Sequence, residues 1–117
     1  MKHSLLALLL LCGAPAWALE CPAGPLVGVQ VLSAKQGEVI DESAPPDLIP
    51  DEQSTRAGIL HQVWKMNSDG PGWDFFVWCT YQGNPKVVKL PAPNVKRCER
   101  TLSAAHPDKP PQHMTCE

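Results

Sequence analysis

Residues Gly72 to Gln82, GWDFFVWCTYQ, constrain this chain more than any other stretch, because they hold five of its seven aromatic residues. Two period-2 sets run through the segment. Trp73, Phe75, Val77, Cys79 and Tyr81 share one face, and Phe76, Trp78 and Thr80 share the other. Both faces are apolar. A strand of this kind is either central and covered on both sides, or it packs a core with one face and offers the other to a partner. In the second case Phe76 and Trp78 are the candidate partner anchors, ringed by Lys89, Arg97 and Arg100, because aromatic residues beside arginine compose binding hot spots. A buried core strand would carry the same letters.

The chain begins with Lys2 and His3, runs through the apolar stretch Leu5 to Leu11, and reaches small residues in Ala16-Trp17-Ala18. This pattern predicts a secretory signal peptide over residues 1–18, cleaved after Ala18. The apolar run is shorter than the roughly 20 residues that span a bilayer. A lipoprotein site at Cys12 would require a small residue before the cysteine, where Leu11 stands. Cleavage would leave 99 of the 117 residues, 19–117, enough for a single domain with one modest core.

Loss of Cys12 with the leader leaves Cys21, Cys79, Cys98 and Cys116. An even set in a small exported chain predicts two disulfides and an oxidising compartment, here the periplasm. The gaps are long and no Cys-x-x-Cys occurs, so a zinc site is not expected. Cys98 and Cys116 flank the loop His106 to Pro111 and lie equidistant from its centre, as a cross-strand bridge in a hairpin requires. That pairing leaves Cys21 with Cys79. The competing scheme joins Cys79 to Cys98 and Cys21 to Cys116.

Charge narrows the function classes. Without Lys2 the 10 Lys+Arg become nine against 12 Asp+Glu, which excludes a broadly basic nucleic-acid binder. Acids concentrate in the first half of the mature chain and bases in the second, and the two halves are expected to pair on folding.

Taken in order, LVGVQVLSA after Pro25 reads as a half-buried strand. Residues Gly37 to Gln53 carry Glu38, Asp41, Glu42, Asp47, Asp51 and Glu52 with three prolines, and predict a loop tacked down by Leu48 and Ile49. This loop is the best candidate for a contact loop. Ala57 to Met66 is ambiguous between helix and strand, and the turn residues Asn67 to Gly72 favour a hairpin with the aromatic strand. KVVKL, VKRCERTLSA and QHMTCE complete the strands, with VKRCERTLSA expected on the outside and its basic side chains at the sheet rim. The fold class predicted is all-β, with α+β the alternative: a small antiparallel meander of about five to six strands stapled by two disulfides.

Catalytic patterns are not apparent. Serines and histidines occur without a nucleophile elbow, and Asp69 and Asp74 lack the alternating acids of a calcium loop. His106 and His113 flank a proline-rich loop as solvated side chains. The expectation is therefore a non-enzymatic protein with no cofactor, no metal, no membrane span and no nucleic-acid partner.

The ordered set Cys21-Pro22, Leu48-Ile49-Pro50-Asp51, Trp64, Trp78-Cys79-Thr80-Tyr81, Leu90-Pro91, Val95, Cys98 and Cys116 resembles a family of small exported, four-cysteine proteobacterial proteins of uncharacterised function, some encoded in type VI secretion gene clusters. The family shows a shorter link before its central Cys-x-Tyr, so Asn67 to Gly72 is a departure. The resemblance implies a periplasmic disulfide-stapled β domain with an immunity or inhibitor role, whose partner is a secreted effector or envelope enzyme. A structural or stress-related envelope protein is the alternative function.

Overall fold

The computed structural model describes residues 19–66 and 72–117. The leader expected over residues 1–18 and the link 67–71 lie outside the described residues. The described chain is all-β, with eight strands: β1 (Leu19–Glu20), β2 (Leu26–Lys35), β3 (Glu52–Arg56), β4 (Ile59–Lys65), β5 (Trp73–Tyr81), β6 (Val88–Pro91), β7 (Arg97–Ser103) and β8 (His113–Cys116). They form two antiparallel sheets, ordered β1-β8-β7-β4-β3 and β2-β5-β6.

Pleat alternation explains how the sheets meet. On β5 the set Val77, Cys79 and Tyr81 is buried, and it lies opposite Val31, Val29 and Leu26 of β2. Trp64 of β4, Cys98 of β7 and Met114 and Cys116 of β8 supply the facing layer from the five-stranded sheet. Met66, Ala92 and Val95 join the same cluster. Burying a side chain of this size contributes about 1.5–3 kcal/mol each, so the interleaved layer is the main source of stability.

Both disulfides stitch this layer. Cys21–Cys79 ties the segment after β1 to β5 across a sequence separation of 58, and Cys98–Cys116 joins opposed residues of β7 and β8 across a separation of 18. The hairpin reasoning for Cys98 and Cys116 holds, and the competing pairing does not. Beside the first bridge, the Tyr81 hydroxyl donates to the Pro22 carbonyl at 2.5 Å. Burial pushes the Tyr81 phenol above its ordinary value. Gly24 (φ 153°) passes so close to this ring that a Cβ would stand 3.0 Å from Tyr81 Cδ2, so the turn into β2 needs glycine.

Three local expectations are corrected. β4 does not form a hairpin with β5; it pairs with β3 and β7, and the chain changes sheets between residues 65 and 73. A turn-rich link is as compatible with crossing between two stacked sheets as with a tight reversal, because both need only a change of direction. β7 is interior to its sheet, not an outer strand, and Arg100 points inward among glutamines instead of snorkelling at a rim. Finally, Ile49 is no anchor: it is 86% exposed, and of the two only Leu48 packs against the core. Leu48 N–H donates to Val31 O at 2.7 Å, and Trp64 Nε1 donates to Leu48 O at 3.0 Å. The backbone of Leu48 thus bridges the two sheets.

Candidate functional site

The second face of β5 decides where a partner could bind. Trp78 lies across from Gln30 of β2 and Lys89 of β6, and Phe76 lies across from Leu32 and Pro91. Leu32 is fully buried, Trp78 is 6% exposed and Phe76 is half-buried. β5 is therefore central in its sheet and covered on both sides.

The acidic loop 36–51 provides much of this second cover. Glu42 forms an ion pair with Lys89, whose ammonium stands 4.8 Å from the centre of the Trp78 ring. Asp47 accepts from Gln30 Nε2 at 3.0 and 3.2 Å, and it bridges to Leu32 at the free edge of β2. Gln30, Glu42, Pro45, Trp78, Lys86 and Lys89 line a groove of about 660 Å³ between loop and sheet. A cation held over an indole and also paired with a carboxylate gains from both, at about 0.5–1 kcal/mol for the ring contact at a partly exposed site.

Within the loop, Asp41 Oδ1 accepts from Ser43 Oγ at 2.7 Å and from Ser43 N–H at 3.0 Å. These bonds, the hydroxyl first, hold the Asp41 carboxyl below its ordinary range. The same loop leaves Val39, 95% exposed, and Ile49 out in solvent. Large aliphatic side chains left exposed on an acidic, tethered loop make it the candidate contact segment.

The four residues expected at the partner surface separate into two places. Phe76 and Trp78 lie on the three-stranded sheet, Trp78 beneath the acidic loop. Arg97 and Arg100 lie on the five-stranded sheet, where Arg97 pairs with Glu99 on the outer face. Arg100 directs Nε and NH2 to Gln112 Oε1 at 3.1 and 2.6 Å, and NH1 to Gln62 Oε1 at 3.2 Å. Of the cations expected around the aromatics, only Lys89 is there.

Burial lowers the Arg100 guanidinium from its ordinary value, and the two glutamines compensate with neutral acceptors. Gln112 is 5% exposed, and its Nε2 donates to Val27 O at 3.0 Å and Pro107 O at 2.8 Å, which ties the β7–β8 loop to β2. Sequence reasoning passed over Gln112 and Val39. Gln112 opens the segment read as the terminal strand, where nothing local marks it as buried, and Val39 stands with Ile40 in a segment otherwise read as an acidic, proline-marked loop, so neither carried a periodic signal. No family model matches the chain, and no curated protein or solved structure matches it either.

Proposed function

We propose that this chain is an exported, periplasmic protein-binding domain of the immunity or inhibitor type, which seats its acidic loop on a secreted effector or envelope enzyme and occludes it. One observation carries the reading: the loop 36–51 is clamped to a disulfide-stapled scaffold through Glu42, Asp47 and Leu48, yet holds Val39 and Ile49 out in solvent. Clamping reduces the entropy that a contact loop loses on binding. The chemistry of Glu38, Asp41 and the two aliphatic residues fits a partner with a basic recess lined by apolar side chains, since charge complementarity steers encounter and buried aliphatic contacts slow release.

In this reading Trp78 and Phe76 support the contact surface from below. The resemblance to exported four-cysteine proteins points in the same direction, and two disulfides fit an oxidising location. The test is capture from a periplasmic extract on immobilised protein, comparing wild type with the double substitution Val39→Asp, Ile49→Asp. A partner retained by wild type, lost with the double variant and inhibited by added wild-type protein supports the proposal. Equal capture by both proteins, with the thermal melt unchanged, contradicts it.

A further inference from the structure

The sheet edges among the described residues are not equally protected. Along β2 run the Asp47 bridge and the Leu48 hydrogen bond, β6 ends in Pro91, and β1 has only two residues. β3 is different. Its five residues, Glu52-Gln53-Ser54-Thr55-Arg56, contain no proline and are all exposed, and it is hydrogen-bonded only to β4. An uncovered edge of this kind is a template for another strand.

The direction of its peptide groups follows from the turn. Ala57 (φ 52°) and Gly58 (φ 78°) make a two-residue reversal with both central residues at positive φ, and Arg56 faces Ile59 across it. Such a turn closes on a hydrogen-bonded pair. Alternation then places Ser54 with His61 in the same class, so Gln53 and Thr55 turn their N–H and C=O groups away from β4.

Set antiparallel to itself about Ser54, this strand is self-complementary. Glu52 meets Arg56 of the second copy, Arg56 meets its Glu52, and Gln53 meets Thr55 at both crossings. The outward peptide groups of Gln53 and Thr55 fall opposite one another, which supplies four N–H···O=C bonds in register. Arg56 has no acid within ion-pair distance among the described residues, whereas Glu52, although paired with Lys65, keeps more than half of its side chain exposed. Lys65 lies on the far side of Glu52 from the open edge, on β4, so it does not block an arginine arriving across that edge.

We infer that β3 is a self-association edge, at which two copies of this chain pair strand to strand about a two-fold axis at Ser54 and join their five-stranded sheets into one. The patch is short, so the contact belongs to the weak, transient class well below about 1,200 Å² of buried surface. A two-fold contact of this type is isologous, and each substitution acts on it twice.

The test is sedimentation velocity on the mature protein from about 10 μM to 1 mM, the range in which weak contacts populate. Wild type should show a concentration-dependent shift from monomer to dimer. Thr55→Pro deletes one outward N–H per copy and should weaken association at least tenfold, with an unchanged melt because that N–H takes no part in the β3–β4 ladder. Glu52→Arg and Arg56→Glu should each weaken it similarly, since each places like charges opposite one another. An equimolar mixture of those two variants should regain it, because every crossing then pairs opposite charges. Wild type that stays monomeric at the top concentration overturns the inference. So does association undiminished by Thr55→Pro, or a mixture that associates no better than its components.

Discussion

Replacing Trp78 by alanine is the sharpest perturbation of this fold. The indole is 6% exposed and sits between Gln30 and Lys89 beneath Glu42 and Pro45. A tryptophan buries about 150–250 Å², which at about 25 cal/mol per Å² corresponds to roughly 4–6 kcal/mol of transfer free energy. A compact unfolded chain lowers that figure, and the loop above the ring can partly collapse into the space. The expected loss is therefore about 3–4 kcal/mol, at the lower part of the range for removing a large buried aromatic. Against a total of about 5–15 kcal/mol for a domain, that is about a fifth of the stability or more. Equilibrium unfolding in urea measures it: with a slope of about 1–1.5 kcal/mol per M, the midpoint should fall by about 2–4 M. Loss of the Lys89–indole contact should also free the loop, so the Leu48 amide, bonded to Val31 O at 2.7 Å, should exchange faster. A loss under about 1 kcal/mol, with loop protection intact, would refute the view that Trp78 is the loop's foundation.

Other consequences follow from the same contacts. Replacing Cys98 and Cys116 together by alanine opens a loop of separation 18 and should cost about 3 kcal/mol, whereas removing Cys21 and Cys79, of separation 58, should cost about 4 kcal/mol; paired urea titrations establish the order. Gln112→Leu deprives Arg100 and Val27 O of partners and should destabilise by about 2–3 kcal/mol, and Arg100→Met on that background should recover part of the loss. Tyr81→Phe removes the hydrogen bond to Pro22 O and should cost about 1 kcal/mol near neutral pH. Because the folded state raises the Tyr81 pKa, it holds its proton where the unfolded chain has lost it. Stability should therefore be full below about pH 10 and fall as pH rises through that value, and Tyr81→Phe should flatten the decline in a pH series of melts.

Legibility varied with the kind of signal. The alternating set around Cys79 announced β5, and the position of Cys98 and Cys116 about one loop announced their bridge, because both depend on local geometry. β3 was invisible: Glu-Gln-Ser-Thr-Arg has no apolar face, and only the Ala57-Gly58 turn and the ladder to β4 make it a strand. The passage of the chain from β4 in one sheet to β5 in the other was equally hidden, since alternation says which residues are buried but not which strands are neighbours. At the candidate site, acids and prolines marked residues 37–53 as a contact loop; Glu42, Asp47 and Leu48 of it lie against the three-stranded sheet, whereas Glu52 and Gln53 already belong to β3 of the other sheet. Which of its side chains anchor it could not be read: Leu48 and Ile49 are adjacent and chemically alike, and the backbone bonds of Leu48 to both sheets separate their fates. Arg100 looked like a rim residue because nothing local says that Gln62 and Gln112 will converge on it.

The central claim, that the clamped acidic loop is the contact surface for another protein, is tested most directly by photo-crosslinking in the native compartment. A photoreactive residue at Val39 or at Ile49, and in a control at His113 on the exposed outer face of the five-stranded sheet, would be irradiated in intact cells and the adducts identified by mass spectrometry. The account predicts the same adduct from both loop positions, absent from His113, and formed with a protein whose activity the purified domain inhibits. Loop positions that yield no adduct, or the same adducts as His113, would contradict it.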